Sequence, residues 1–271
     1  MREEKQERRL EDIQCFLMDM DGTIYLGDQL LPGAREWLEL LDSNCIAYTF
    51  LTNNSSRSRV EYAQKLQRLG LPVPEEKIFT SGEATAIYLE KNYPGATMKV
   101  FGTPPLLEEF ERHGFTLTDE DPDVVVLGFD TTLTYEKLWK LCDLVVAGKP
   151  YIATHPDINC PTETGYKPDI GAMMALVASS TGRRPDEIVG KPNWPIVEAL
   201  AAKTGFPIHT HCMIGDRLYT DIALGQWGIA TALVLSGESS AEDLAVSHYK
   251  PDFVAKDIAE MGDLLLRALA A

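Results

Sequence analysis

The chain has no apolar stretch long enough to cross a bilayer, and residues 1–12 are almost all charged or polar, so neither a membrane helix nor a secretory leader is expected. Cysteine is sparse. The five residues, Cys15, Cys45, Cys142, Cys160 and Cys212, are odd in number and none form a close-spaced pair, which argues against a disulfide framework and for reduced thiols in a cytoplasm. Basic residues are also in deficit: 25 Lys and Arg stand against 41 Asp and Glu, a net charge of −16. That balance argues against nucleic acid or an anionic membrane surface as the main partner. It leaves room for a small anionic substrate, because a few local cations and a metal override the global field. Repeats and low-complexity tracts are missing as well. With 45% hydrophobic and 24% charged residues, the composition is that of a soluble globular protein, expected in the cytoplasm.

What is present is a strand–helix rhythm. A strand at about 13–19 is followed by a loop with Gly22, Gly27, Pro32 and Gly33, then a helix near 33–43 with Trp37, Leu38, Leu40 and Leu41 on its apolar side. A second buried strand, Ile46 to Leu51, ends in Thr52-Asn53-Asn54-Ser55, and a helix at 57–69 stops at Gly70. The rhythm resumes with short strands at His211–Ile214, Thr231–Leu235 and Phe253–Val254, and helices near 219–226, 240–246 and 257–269. Between these halves, strands at Lys99–Gly102, Asp123–Gly128 and Tyr151–Thr154 alternate with helices near 105–112, 134–146 and 170–181. The expected fold class is α/β: a Rossmann-like core with a central parallel sheet flanked by helices, built from residues 1–81 and 183–271, plus an α/β domain inserted at 82–182.

The chemistry gathers at strand ends. Asp19 and Asp21 follow the apolar run Cys15-Phe16-Leu17-Met18 at a two-residue spacing, which sends both carboxylates to one side of the chain. They lie at the strand's carboxyl end, where open α/β sheets form their crevices. Two acids so close repel unless a cation sits beside them, and a hard divalent metal is the obvious candidate. One of the pair is then available as a nucleophile and the other as a proton donor. Thr52 offers a hydroxyl and a backbone N–H suited to a phosphoryl oxygen. Lys191, in Gly190-Lys191-Pro192-Asn193, neutralises charge on a phosphoryl group, and Asp216 adds a carboxylate for the metal. Asp221 either holds a metal-bound water or orients Lys191.

This set, in this order, resembles the haloacid dehalogenase superfamily, whose motifs are DxD, a Thr or Ser, a Lys, and GDxxxxD. The Thr-Asn-Asn-Ser and Gly-Lys-Pro-Asn turns and the large insertion are similar to the subgroup of p-nitrophenyl phosphatase-like and NagD-like enzymes. Within the insertion, Ala153-Thr154-His155-Pro156-Asp157 and the stretch from Gly165 to Gly171 also look like that subgroup. The resemblance implies a phosphatase of small phosphorylated metabolites and a cap domain at 82–182. Asp19 would form an aspartyl-phosphate, and Asp21 would protonate the leaving oxygen and then deprotonate water. Mg²⁺ would be held by the Asp19 carboxylate, the Asp21 backbone carbonyl and Asp216. Thr52, Asn53 and Lys191 would clamp the phosphoryl oxygens, with Asn54 as a further candidate. The cap, with Asn159, Cys160 and Pro161 on a loop facing the substrate, would close and read the leaving group; such caps also serve as dimer surfaces. One departure is Gln226-Trp227-Gly228, where an indole stands in place of a small residue.

Other readings compete. Asp119, Asp121 and Asp123 precede their strand, the wrong end for a site. Lys149 sits in a second Gly-Lys-Pro turn and reads as a surface residue; neither turn is a P-loop. His209, His211 and Cys212 lack a second cluster to complete a zinc site. Asn53 and Asn54 would equally suit a helix cap, and Asp221 an early helical acid. A signalling receiver has its lysine last and no insertion. A dehalogenase has no oxygen leaving group for Asp21 to protonate. A phosphomutase or phosphotransferase shares every residue named, and the acceptor alone separates it.

Overall fold

The structure, a computed structural model, describes residues 8–162 and 165–270, without the side chains at 161–162. In chain order the first elements are β1 (Cys15–Met18), β2 (Tyr25–Leu26), β3 (Gln29–Leu30), α1 (Ala34–Ser43), β4 (Ala47–Thr52), α2 (Arg59–Arg68) and β5 (Ile78–Thr80). Then come α3 (Ser81–Asn92), β6 (Thr97–Phe101), α4 (Pro104–Arg112), β7 (Thr116–Leu117), β8 (Val124–Leu127), α5 (Tyr135–Val146) and β9 (Tyr151–Ala153). They are followed by β10 (Asn159–Thr162), β11 (Gly165–Pro168), α6 (Ile170–Thr181), β12 (Glu187–Ile188) and α7 (Trp194–Thr204). The last are β13 (His211–Gly215), β14 (Ala230–Val234), α8 (Ala241–Val246), β15 (Phe253–Ala255) and α9 (Ile258–Leu269). Contacts divide the chain into two compact units, Met1–Leu51 with Thr204–Ala271, and Thr52–Lys203. The segment 82–182 lies within the second.

The first unit sets its strands side by side in the order β15, β14, β13, β1, β4, every pair parallel. β1 lies between β13 and β4 and all four of its residues are buried. That explains its unbroken apolar sequence, since a parallel strand covered on both faces has no solvent side to reserve for polar residues. Phe16 packs edge-on against Trp37 of α1 at 5.1 Å between ring centroids, and the Trp37 indole N–H donates to the Met18 sulfur at 3.0 Å. Each such fully buried large side chain contributes roughly 1.5–3 kcal/mol. Gly33, at φ +83°, opens α1 where a Cβ would come within 2.5 Å of Ala259, so the close approach of α1 to α9 requires glycine there.

The second unit has its own parallel sheet in the order β12, β9, β8, β6, β7. Val125, Leu127, Phe129, Leu141, Tyr151 and Val177 share the core formed between this sheet and α5 and α6. The antiparallel hairpin β10–β11 leads into α6.

The helices near 105–112, 134–146 and 170–181 form as the sequence pattern indicates. The segment expected to be helical at 219–226 instead turns through Tyr219–Asp221 and continues as a 3₁₀ helix from Ile222 to Trp227. Its run is short and ends at Gly228 in the left-handed region (φ +87°), which leaves no length for a full α-helical ladder. Asn159 and Cys160, expected on a loop facing the substrate, belong to β10; Pro161 is in the same strand, with its side chain outside the described residues. Helix α2 is capped by Ser58 with Glu61 in a reciprocal capping box, so Asn53 and Asn54 are not its caps. Among the described residues no helix is long and apolar enough to cross a membrane.

Candidate active site

β1 ends at Met18, one residue before Asp19, whose N–H donates to the Ile214 carbonyl of β13 at 2.9 Å. This bond extends the parallel ladder just far enough to bring Asp19 beside the end of β13, where Gly215 and Asp216 follow. The chain then turns sharply at Met20, whose carbonyl accepts from Thr23, Ile24 and Tyr25. Gly22, at φ +83°, completes the turn. Asp21 is exposed on it, and the Tyr25 hydroxyl donates to the Asp21 carboxylate at 3.3 Å.

Asp19, Asp216 and Asp221 form one cluster, with a carboxylate oxygen from each within 4.8 Å of the others. Asp216 and Asp221 are buried, at 3% and 0% exposure. Backbone presses against both acids. A Cβ at Gly22 or Gly237 would run into the Asp216 carboxylate, and one at Gly215 into the Asp221 carboxylate. Asp221 accepts from the Arg217 N–H at 3.1 Å. Asp216 receives the Glu238 N–H on Oδ2 at 2.7 Å, while its Oδ1 is buried with no hydrogen-bond partner among the described groups.

Burial pushes the Asp216 carboxyl up to about 8, helped by the charges of Asp19 and Asp221 and opposed by the Glu238 N–H and Arg217. An acid that keeps its proton so far above its usual range marks a place deficient in positive charge. The donor set is all carboxylate oxygen, one atom of it orphaned, and it fits a hard divalent cation.

The loop after β14 was missed by sequence reasoning. Ser236 donates to the Gly22 carbonyl at 2.8 Å, and Ser239 N–H donates to the Asp216 carbonyl at 3.1 Å. Glu238 binds the Arg217 guanidinium at 2.9 Å and accepts from the Tyr219 hydroxyl at 2.7 Å. The available signal was Gly237 just past the carboxyl end of a core strand.

The second unit holds the other candidates. Thr52 and Asn53 are buried at the carboxyl end of β4, and Thr52 Oγ1 accepts from the Asn54 N–H at 3.2 Å. Asn54 turns its side-chain oxygen to Ser56, accepting from N at 2.9 Å and Oγ at 2.7 Å. Asn53 is joined to Lys191 on both sides of the residue: Lys191 N–H donates to Asn53 Oδ1 at 2.8 Å, and Asn53 Nδ2 donates to the Lys191 carbonyl at 3.0 Å. Asn53 Nδ2 also donates to Asp157 at 2.9 Å, and its carbonyl accepts from the Ser81 hydroxyl. Lys191 is 2% exposed. The turn is tied to the chain just after β8 and β9 by Ser55, which pairs with the Thr154 hydroxyl at 2.9 Å and accepts from the Phe129 N–H.

The competing clusters are accounted for structurally. Asp123 accepts from Thr97 N and Oγ1, Asp121 pairs with Lys149 at 2.6 Å, and Asp119 pairs with Lys99. His211 is buried between the Pro207 carbonyl at 3.0 Å and the Thr204 hydroxyl at 2.9 Å, and burial lowers its pKa. Both ring nitrogens are occupied by these groups, as in a neutral structural histidine. None of the five cysteines forms a disulfide.

A parallel α/β sheet thus carries clustered acids at the carboxyl ends of its strands, a donor set suited to a hard divalent cation. The haloacid dehalogenase-like hydrolase family matches residues 16–116, and the related HAD-hydrolase-like family matches 188–261. The solved 4-nitrophenylphosphatase from Thermotoga maritima is 48% identical, with a TM-score of 0.91 over 94% of this chain and 98% of its own. NagD from Escherichia coli K-12 is 32% identical, with a TM-score of 0.86 over 92% and 98%. The acid sugar phosphatase of Staphylococcus epidermidis is 34% identical over 251 residues, 92% of this chain and 96% of its own. The chain belongs to the haloacid dehalogenase-like hydrolases, in the phosphatase subgroup that includes the 4-nitrophenylphosphatases and NagD.

Proposed function

We propose that this phosphatase is Mg²⁺-dependent, acts on small phosphorylated metabolites and works through an aspartyl-phosphate on Asp19. The observation that supports this most directly is the Asp19–Asp216–Asp221 cluster, with its elevated Asp216 pKa and orphaned oxygen. Asp19, Asp216 and the Asp21 backbone carbonyl would hold the ion, whose charge offsets that of the phosphoryl oxygens and of the acids themselves.

Asp19 attacks phosphorus through one carboxylate oxygen as the bond to the leaving oxygen breaks. Asp21, on its exposed turn, gives that oxygen a proton and later takes one from the water that cleaves the acyl phosphate. Its hydrogen bond from Tyr25 orients the carboxyl group. Lys191 and Thr52 stabilise charge on the phosphoryl oxygens; removing one such donor typically costs about 3–4 kcal/mol of barrier. Asp221, with its carboxylate bound to the Arg217 N–H, supports the cluster from behind.

Residues 82–182 act as the cap that excludes water and reads the leaving group, with Asn159, Cys160 and Pro161 on its substrate side. Tyr135 and Trp139, 82% and 63% exposed on α5, give this segment an apolar face for a second copy of the chain, which sedimentation at graded concentrations tests. The absence of disulfides favours a reducing cytoplasm.

The testing experiment is hydrolysis of a panel of sugar phosphates, nucleotides, phosphoglycolate and p-nitrophenyl phosphate, with Mg²⁺ and with chelator. Turnover confined to the Mg²⁺ arm is expected; equal turnover in chelator would overturn the assignment.

A further inference from the structure

We infer that Asp157 is a positioning residue for Lys191, acting through the Asn53 side chain; the inference rests on the reading of Lys191 as the phosphoryl-binding cation. A primary amide is nearly symmetric in shape, and a half-turn exchanges its oxygen for its NH₂. Asn53 uses both ends on one residue, accepting from Lys191 N at 2.8 Å and donating to Lys191 O at 3.0 Å. Those two bonds set the orientation of the amide, and Asp157, whose carboxylate faces Nδ2 at 2.9 Å, reinforces it. Turned over, the amide would set its oxygen against both the Asp157 carboxylate and the Lys191 carbonyl and its N–H groups against the Lys191 N–H, three repulsive contacts in a buried place. Asn53, Asp157 and Lys191 are 5%, 8% and 2% exposed, so water is not at hand to relieve them.

Asp157 is packed beside a buried imidazole. Asp157 N–H donates to His155 Nδ1 at 3.4 Å, and His155, fully buried, has Asp157 and Asp169 at 3.9 and 3.6 Å from its two ring nitrogens. Gly190 admits the arrangement, because a Cβ there would meet Asn53 Oδ1 at 2.7 Å and the Thr154 carbonyl at 2.7 Å. A lysine ammonium sits at the end of four flexible methylenes, so fixing the backbone at the root of the stem limits where the charge travels. Asp157 belongs to the segment 82–182, so the part of the chain assigned to reading the leaving group also sets the lysine that meets the phosphate.

The test measures kcat/KM for p-nitrophenyl phosphate with saturating Mg²⁺, and inhibition by inorganic phosphate, in Asp157→Ala, Asp157→Asn, Asn53→Asp, Lys191→Met and the double variant Asp157→Ala/Lys191→Met. Asp157→Ala and Asn53→Asp should each lower kcat/KM by up to about 100-fold and weaken phosphate inhibition, the cost of a misplacement of about 1 Å. Asp157→Asn keeps an acceptor oxygen and should stay within about threefold. In the Lys191→Met background, Asp157→Ala should have almost no further effect, which a merely structural role would not produce. An equal loss in both backgrounds, or full activity in Asn53→Asp, overturns the inference. Full activity in Lys191→Met removes instead the phosphoryl-binding reading of that lysine, and the inference with it.

Discussion

Replacing Asp216 by Asn tests the electrostatics of the acid cluster apart from turnover. In the metal-free protein the folded Asp216 carboxyl titrates at about 8, against 3.8 for an ordinary aspartate. Between those values the folded state binds a proton that the unfolded state has released. Stability from this group is therefore fully present below about pH 4 and declines as the pH rises toward 8, by at most about 1.4 kcal/mol per pH unit for one proton. For a chain of 271 residues that slope corresponds to roughly 2–3 °C of Tm per pH unit. The amide introduced by Asp216→Asn has no proton to lose, so the difference in Tm between variant and wild type, measured in chelator from pH 5 to 9, should grow in favour of the variant up to about pH 8 and level off beyond it. Mg²⁺ should reverse the order, since it stabilises the wild type by occupying the deprotonated cluster, and more so at high pH. Calorimetry in paired buffers with and without Mg²⁺ reads both effects. A Tm difference that does not change with pH, or equal stabilisation of both proteins by Mg²⁺, would refute the reasoning.

Asp19→Asn should lower Mg²⁺-dependent p-nitrophenyl phosphate hydrolysis by at least about 10⁴-fold while circular dichroism and Tm remain those of a folded protein; substantial turnover would remove the covalent route. Asp21→Asn should slow the reaction by about 10²–10⁴-fold for alkyl esters such as sugar phosphates and less for aryl esters, whose leaving group departs unprotonated, as parallel kcat measurements would show. Gly190→Ala should destabilise the protein by about 1–3 kcal/mol in chemical denaturation and raise KM for phosphate esters, because the new methyl group meets Asn53 and Thr154.

Much of the fold was legible because buried parallel strands advertise themselves. Cys15-Phe16-Leu17-Met18 is wholly apolar and Ala230–Val234 is so except for the buried Thr231, and the helices between them keep an apolar side. The short elements were not legible. β5 is three residues long, and α3 begins with small and polar residues whose burial is imposed by tertiary packing. Tyr219–Trp227 has a helical composition but too little chain before Gly228 to form more than a turn and a 3₁₀ run.

At the candidate site, Asp19 and Asp216 were readable from their places after apolar strands. The closeness of Asp19 to Asp216 and Asp221 depends on the parallel pairing of β1 with β13, which no local pattern encodes. The Glu238 N–H on Asp216 and the Asp157–Asn53–Lys191 chain link residues far apart in sequence, and Glu238 and Asp157 carry no local signal that would join them to those partners. Asp19 and Asp21 also proved unequal: one, half-buried, joins the cluster with Asp216 and Asp221, while the other stays exposed beside Tyr25.

The central claim is that Asp19 becomes phosphorylated during turnover. Acid quenching of the enzyme mixed with p-nitrophenyl phosphate and Mg²⁺, followed by peptide mass mapping, should find one added phosphoryl group on the peptide holding Asp19 and none in Asp19→Asn. A phosphoryl group on any other side chain, or rapid turnover with no labelled peptide at any quench time, would contradict it.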